Sequence, residues 1–583
     1  MDPAGVQALI RRLEAGKSVL AGVRPGLEAA IAEAGADWAG SGGVTAMHRA
    51  WAFFHDAQVD LRWRLEVLQQ VVPDGSPPLT TVRVPFTSQE EAVSAGRQAG
   101  RELADALAAH LADGTAQSWA RVEAGLTAAG NADTRDPAYA AALLAALDGP
   151  EAVRTIFTKW LDAHTASRGR GLAIGELDTA QESLGPLAVA FAAAETSGRL
   201  PAGWREDVLA NAGPATLSAM VALTRASDEF LNAVAVRQLG SPGAGYSASF
   251  PEPDWNSVLV AGAYIGNADA LQQLLAENRQ VAGQLLDPDL IRGTGTAHFS
   301  DLVAAVLDGA LDPNTGSAAT RERAWINLID GVGYDGTQNA SGHFASFENS
   351  PVNGVLAKHI TPYLGQLARG QVHAYSRELG LAPSGLWKGL HEDVAARFIG
   401  ALMQDPDTAK KLQADFEAYV QSLDIGQAHP YSSDKAERAV YTRLSAEAGG
   451  LSNLLLGGSA YAEFNDDEFI DMVADAALLP VNYTFARVFR KATPLGSTAV
   501  DYHSSGPKDL LADVLKDHLD ELTPETAGVV ADRLVSAEVD AVQASLAKHG
   551  QDPLTVEDRE MLMQAFRGRL SPALVKALEI RGG

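Results

Sequence analysis

The sequence predicts an all-α protein, with an N-terminal antiparallel helical hairpin followed by a large, irregular multi-helix body. Signals for the start of a helix recur along the chain. In each of them proline can be the first helical residue, whose N–H has no partner within the helix, and a side chain that can cap the helix often precedes it. These signals are Asp136-Pro137, Gly149-Pro150, Asp287-Pro288, Thr361-Pro362, Gly506-Pro507, Thr523-Pro524 and Ser571-Pro572. The stretches between them are rich in Ala and Leu with helical spacing, whereas only the short run 81–84 alternates as a strand would.

Two heptad seams predict the hairpin. The first has apolar or small residues at alternating steps of three and four: Val6, Leu9, Leu13, Gly16, Leu20, Val23, Leu27, Ala30 and Ala34. The second has the same spacing, interrupted at Gln58: Val44, Met47, Trp51, Phe54, Gln58, Leu61, Leu65 and Leu68. Pro25 lies inside the first seam, and a proline within a helix removes a backbone hydrogen bond, so we expect a kink or break near residue 24.

The segment between the seams, residues 36–43, is rich in glycine and contains Trp38. Glycines allow the chain to reverse, and Trp38 can cover the open end of the seam. With Trp38 and Gly40 forming a Trp-x-Gly turn between two helices, residues 1–72 resemble the WXG100 or ESAT-6-like proteins of type VII secretion. No tyrosine follows the second helix, where proteins of this family often carry Tyr-x-x-x-Asp/Glu.

The resemblance implies that Trp38 and Gly40 shape the turn and that the hairpin pairs with another helical hairpin, either of a second copy or of a WXG100-like partner, as a four-helix bundle. It also implies a secretion ATPase as a partner. The pairing seam would contain Leu20, Leu27, Trp51, Phe54, Leu61, Leu65 and Leu68. The alternative is a hairpin that docks on the rest of its own chain, with Trp38 in an ordinary core.

The sequence after the hairpin predicts three parts: linker and connector helices at 73–134, a large helical domain at 135–430, and a C-terminal helical region at 431–583. Within the large helical domain, Leu184-Gly-Pro-Leu187, Trp255-Asn-Ser-Val-Leu259 and Leu328-Ile-Asp-Gly-Val-Gly333 resemble the large uncharacterised helical domain found in actinobacterial proteins downstream of Trp-x-Gly hairpins. This resemblance implies an association with secretion or toxin loci and carries no established activity.

Charge and composition narrow the partners. The formal net charge is −27, so the surface as a whole repels phosphate backbones, and we expect no nucleic-acid partner. The most apolar stretch, 184–194, contains Gly185 and Pro186 and is too short to span a membrane, so we expect a buried helix there and no integral span. Residues 1–20 are interrupted by charges, and no general secretory signal is predicted.

We predict no catalytic, cofactor-binding or metal site, because no known motif for one is complete in the sequence. The chain has no cysteine, so thiolate ligands and cysteine nucleophiles are excluded. Gly16-Lys17-Ser18 lacks the glycine that a phosphate-binding loop requires, and Asp312, Asn314 and Gly316 begin like a calcium loop that Ser317 and Arg323 then contradict. His343, His359 and His373 are spaced too irregularly for a metal site, and the acidic cluster 465–471 is typical of a helix N-terminus.

These observations predict a non-enzymatic helical protein of a type VII-like secretion pathway, acting as substrate, carrier or scaffold through its N-terminal hairpin. Two alternatives remain open: a secreted effector or toxin with its activity in the C-terminal half, and a structural subunit of a large assembly. Export through the type VII-like pathway is the favoured location, with the cytoplasm as the alternative.

Overall fold

The computed structural model describes residues 3–34, 41–71, 85–132, 134–165, 172–239, 255–286, 297–335, 350–371, 383–390, 392–423 and 453–459, with other scattered residues between 436 and 563. In this part of the chain there are twenty α-helices and no strand, which confirms the predicted all-α class. The chain divides into two compact units. Unit 1 contains Met1–Gln238 and Asp254–Ala263, and unit 2 contains Leu239–Pro253 and Tyr264–Gly583. The predicted segment 135–430 contributes to both units.

Twelve of the helices begin in unit 1. They are α1 (Pro3–Ala34), α2 (Ser41–Val71), α3 (Gln89–Asp113), α4 (Ala116–Asn131), α5 (Pro137–Ala145), α6 (Pro150–His164), α7 (Leu177–Ser183), α8 (Gly185–Thr196), α9 (Trp204–Asn211), α10 (Pro214–Ala222), α11 (Asp228–Leu239) and α12 (Trp255–Gly262). Two predicted helix starts are confirmed here, since α5 and α6 begin at Pro137 and Pro150.

The core of unit 1 forms around α3, α5 and α8. α8 corresponds to the most apolar stretch of the sequence, and its Leu187 and Phe191 are buried, which confirms the predicted buried helix. α3 crosses α5 closely, because a Cβ at Gly96 or Gly100 would overlap the backbone oxygens of Tyr139 and Leu143. Two glycines one helical turn apart therefore allow the two backbones to meet.

α1 is a single helix of 32 residues with Pro25 inside it, so the chain does not break there. The proline removes one backbone hydrogen bond, at a cost of about 3 kcal/mol, and the helix nevertheless continues to Ala34. The alternating run 81–84 lies outside the described residues.

Eight described helices belong to unit 2. They are α13 (Ala268–Glu277), α14 (Arg279–Leu285), α15 (Ala297–Leu311), α16 (Ala318–Asp335), α17 (Pro351–Ile360), α18 (Leu364–Gly370), α19 (Glu392–Met403) and α20 (Pro406–Ser422). The predicted start at Thr361-Pro362 is a 3₁₀ turn, Thr361–Tyr363, that leads directly into α18. The core includes the buried rings of Trp325 and Phe398, which meet edge to face at 6.1 Å.

Candidate functional site

The C-terminal half of α2 is anchored in unit 1 by Trp63. This indole is fully buried, and its Nε1 donates to the carboxylate of Asp136 at 3.1 and 3.3 Å. Asp136 is equally buried and caps α5 by accepting the backbone N–H groups of Ala138 and Tyr139 at 2.9 and 3.0 Å. A buried carboxylate requires such donors, so one side chain both starts α5 and fixes α2.

Further contacts strengthen this attachment. Arg199 donates to Glu66 at 2.6 and 3.0 Å through two of its nitrogens, and each of these side chains is about one third exposed. Val67 is fully buried one turn after Trp63. The face of α2 that carries these residues is therefore occupied by its own chain.

α1 packs on a different face of α2. Val6 and Ile10 form a small buried cluster with Leu65, and Glu14 pairs with Arg62 at 3.1 Å. Residues farther along α1 contact earlier residues of α2, which shows that the two helices run antiparallel in this pair.

Four polar and aromatic side chains lie at the centre of the interface between α1 and α2; we call them the Lys17 cluster (Lys17, Trp51, His55 and Gln58). Lys17 Nζ donates to Gln58 Oε1 at 3.0 Å and lies 3.5 Å from His55 Nδ1. The same ammonium is 5.8 Å from the centre of the Trp51 ring, on which His55 stacks. Gln58, which interrupts the predicted seam, is thus a buried acceptor for a lysine.

The α1–α2 pair also exposes large apolar side chains. On α1 they are Leu9, Val19 and Val23, and on α2 they are Trp51, Phe53 and Val59. Phe53 is 67% exposed and Val19 is 64% exposed, so both side chains are largely in contact with solvent. Single exposed apolar residues are ordinary, but several on one pair of helices are typical of an interaction surface.

The predicted site residues divide into three groups. Leu65 is buried, Leu20, Phe54 and Leu61 are half-buried, and Trp51 is 38% exposed. Leu27 and Leu68 lie in α1 and α2, but their side chains are outside the described part. Trp38 and Gly40 lie outside the described residues altogether.

Sequence reasoning missed Trp63 and Val67, which lie beside the predicted seam. Their spacing of four residues is the available signal, since it places both on one helical face. The seam accounted for one apolar face of α2, whereas the helix has two.

A groove of about 1160 Å³ separates α2 from α3 in unit 1; we call it the α2–α3 groove. His55, Asp56 and Val59 line it from α2, and Arg97 and Arg101 line it from α3. Carboxylates on both helices outnumber the two arginines. Most of the side chains that line the groove are polar or charged, and Val59 on α2 and Val93 on α3 add apolar surface.

One cluster resembles a catalytic triad in composition. His110 Nδ1 lies 3.1 Å from Ser118 Oγ, which in turn donates to Asp113. A nucleophilic serine needs the histidine between itself and the carboxylate, whereas here the serine is in the middle. The pKa of Asp113 is lowered by hydrogen bonds from Ser118 and Thr115, as expected for a network that joins the end of α3 to the start of α4.

A second polar cluster joins α15 to α17. Asp308 Oδ1 accepts from Lys358 Nζ and from His359 Nε2, both at 2.7 Å, and these bonds lower the pKa of the Asp308 carboxyl. His359 is buried and has this carboxylate as its partner. His343 and His373 lie outside the described residues.

The calcium-like segment is a turn closed by an arginine. Asp312 Oδ1 accepts the backbone N–H of Asn314 at 2.8 Å, and Arg321 donates to the carbonyl oxygens of Asp312 and Thr315 at 3.2 and 2.9 Å. The guanidinium thus closes the turn by binding two of its backbone carbonyl oxygens. Among the described residues, no group of three or more His, Asp or Glu side chains could hold a metal ion; the acidic cluster 465–471 lies outside them.

Buried charge also occurs in unit 2. Glu447 is buried and accepts from Tyr419 Oη at 2.7 Å and from Arg369 Nε at 3.2 Å. Burial and the Glu447 contact raise the pKa of Tyr419. A Cβ at Gly365 would overlap the Tyr419 hydroxyl, so this glycine leaves room for the cluster.

No described helix is both long enough and apolar enough to cross a membrane. Comparisons with protein-family models, with curated proteins and with solved structures found no match to this chain.

Proposed function

We propose that the protein is a non-enzymatic helical binding protein of a type VII-like secretion pathway, acting as substrate, carrier or scaffold. In this proposal the α1–α2 pair meets another helical hairpin, of a second copy or of a WXG100-like partner, and the remainder of the chain is carried or positioned by that contact. A secretion ATPase is the further partner that the Trp-x-Gly resemblance implies.

One observation carries the proposal. The α1–α2 pair exposes Val19, Val23, Trp51 and Phe53 although α2 is already docked on its own chain through Trp63. The exposed residues are therefore apolar surface that remains after the intramolecular contacts are made. Burying this surface against a second pair of helices would be favourable by about 25 cal/mol for each Å² of apolar area removed from water.

The structure also determines which variants test the proposal cleanly. Deleting residues 1–72 would remove Trp63 together with its bond to Asp136, so a loss of export would not separate pairing from misfolding. Val19→Glu/Phe53→Glu is sharper, because both side chains are largely exposed and their replacement leaves the core unchanged. Leu111→Glu is the matched control, since Leu111 is 58% exposed on α3, outside the pair.

The test measures the protein in culture supernatant against a cytoplasmic marker, in its native host, for the wild type and these variants. Trp38→Ala is added as a variant of the Trp-x-Gly segment. We expect wild type and Leu111→Glu to appear outside the cell, and Val19→Glu/Phe53→Glu to remain inside while keeping its helical circular dichroism. Retention of all four proteins in the cytoplasm would contradict the secretion proposal.

Pairing with a second copy is measured separately, by light scattering over a range of protein concentrations. Dimer formation by wild type and Leu111→Glu, lost in Val19→Glu/Phe53→Glu, would support self-pairing. A monomer at every concentration would leave the WXG100-like partner as the required occupant and would contradict self-pairing.

A further inference from the structure

The centre of the α1–α2 interface places a charge next to a titratable ring. Gln58 is only 2% exposed, and its Oε1 accepts from Lys17, while its Nε2 has no hydrogen-bond partner among the described residues. Polar groups in such a position weaken the packing of two helices unless each is satisfied. At this point, where a seam would ordinarily be apolar, the Lys17 ammonium bridges α1 and α2.

His55 provides the second contact of that ammonium. Its Nδ1 lies 3.5 Å from Lys17 Nζ, and its ring stacks on Trp51 with a centroid distance of 5.2 Å and an interplanar angle of 7°. A neutral imidazole can accept a hydrogen bond from Lys17 at Nδ1. A protonated imidazole cannot, because both ring nitrogens then carry hydrogens.

We propose that the Lys17 cluster is an acid-sensitive latch, in which protonation of His55 releases α1 from α2 between Lys17 and the C-terminal end of α1. The added proton removes the acceptor and brings two positive charges to within 3.5 Å. His55 and Trp51 stack on one another within α2, so the repulsion acts across the helix interface, and Lys17, on α1, is the group that is displaced. Histidine is the side chain that changes charge between about pH 8 and pH 5.

Several other charged groups lie around His55. Lys17 is the cation that faces it from α1, and Glu14, about one turn earlier, is engaged by Arg62. The remaining charges share the α2–α3 groove with it: Asp56 and Asp60 on α2, and Glu90, Arg97, Arg101, Glu102 and Asp105 on α3. Carboxylates outnumber arginines in this groove, whereas the contact on the α1 side is with a cation, so the repulsion acts between His55 and Lys17.

The two ends of the pair differ in what would hold them. Val6 and Ile10 pack against Leu65 at one end, whereas Val19 and Val23 of α1 are exposed toward the other. α2 stays in place because Trp63 and Val67 are buried against unit 1. The residues of α1 that follow Lys17 would therefore separate from α2 first, and this would expose the half-buried Phe54. The release itself does not require a bound partner.

The absence of cysteine makes a direct distance measurement possible. Ala21→Cys/Ala52→Cys places spin labels at two exposed positions, one on α1 and one on α2. Double electron–electron resonance on the full chain should give one short distance near about pH 7.5 and a longer component near about pH 5.5. We expect the ratio of released to packed molecules to rise about fivefold over this range.

Two variants and one label pair serve as controls. His55→Gln and Lys17→Gln each remove one of the two charges, so the labelled variants should keep the same distance distribution at both pH values. Ala108→Cys/Ala124→Cys labels exposed positions on α3 and α4 and reports any general loosening of unit 1. An unchanged distance in the wild-type background, or a long component that also appears in His55→Gln, would overturn the proposal.

Discussion

Removing the Asp136 carboxylate should weaken unit 1 at the point where α2 is docked. In Asp136→Ala the cap of α5 is lost, at a cost of about 1 kcal/mol. The buried Trp63 N–H also loses its acceptor, which costs about 1 to 3 kcal/mol more. We therefore expect the free energy of unfolding of unit 1 to fall by about 2 to 4 kcal/mol.

Ser88→Ala is the matched control for the capping term. Ser88 caps α3 by accepting the backbone N–H of Glu91 at 3.2 Å, and this hydrogen bond is exposed. Its loss should cost only about 1 kcal/mol. The difference between the two variants measures what the buried position of Asp136, including its bond to Trp63, adds to the loss of a helix cap.

The assay is a double-mutant cycle with Trp63→Phe, which removes the indole N–H and keeps an aromatic ring. Hydrogen exchange of α2 and α5 amides in the full chain reports unit 1 without assuming that the whole chain unfolds in one step. Because Trp63 and Asp136 are in direct contact, we expect a coupling free energy of about 1 to 2 kcal/mol. A coupling below about 0.5 kcal/mol would refute the argument that this hydrogen bond fixes α2.

Two further predictions concern the same unit. Gly96→Ala and Gly100→Ala should each destabilise unit 1 by about 1 to 3 kcal/mol, because the new methyl group would meet the backbone of α5. Gly22→Ala, at an exposed position of α1 with open space around its Cβ, should be neutral or stabilising, and thermal unfolding compares the three variants. Burial raises the pKa of Tyr139 to about 12, so the stability that its neutral form contributes is present below the ordinary pKa near 10 and should be lost as the pH rises from about 10 to about 12. Denaturant titrations at several pH values should show that the free energy of unfolding falls more steeply over this range in the wild type than in Tyr139→Phe. Equal dependence on pH in the two proteins would contradict the assignment.

The helical class and several helix starts could be predicted because they depend on local chemistry. Asp136 followed by Pro137 supplies an acceptor and a residue that needs no N–H, and the structure begins α5 there. The predicted effect of Pro25 was wrong in its stronger form, since α1 continues through it. A local propensity cost does not decide the outcome when a long helix can pack on a neighbour.

What the sequence did not reveal depends on contacts between distant residues. Asp136 reads as a helix cap, and nothing near it indicates that its third donor is an indole 73 positions earlier. The pairing of Gly96 and Gly100 with α5 is similarly nonlocal, because glycine in a helix predicts a weak point until the crossing helix is known. The seam through Gln58 showed an interruption but not its partner, Lys17.

The two open interpretations of residues 1–72 are therefore compatible within one helix pair. Trp63 and Val67 dock α2 on its own chain, as the alternative required, while Val19, Val23 and Phe53 remain exposed, as pairing with another hairpin would require. Because the face of α2 with Trp63 and Val67 is occupied, a partner that leaves the fold intact must contact the exposed side of α1 or the N-terminal half of α2, which carries Phe53. Substitutions at Val19 and Phe53 should then affect partner binding without affecting the Trp63 contact, and substitutions at Asp136 should do the reverse.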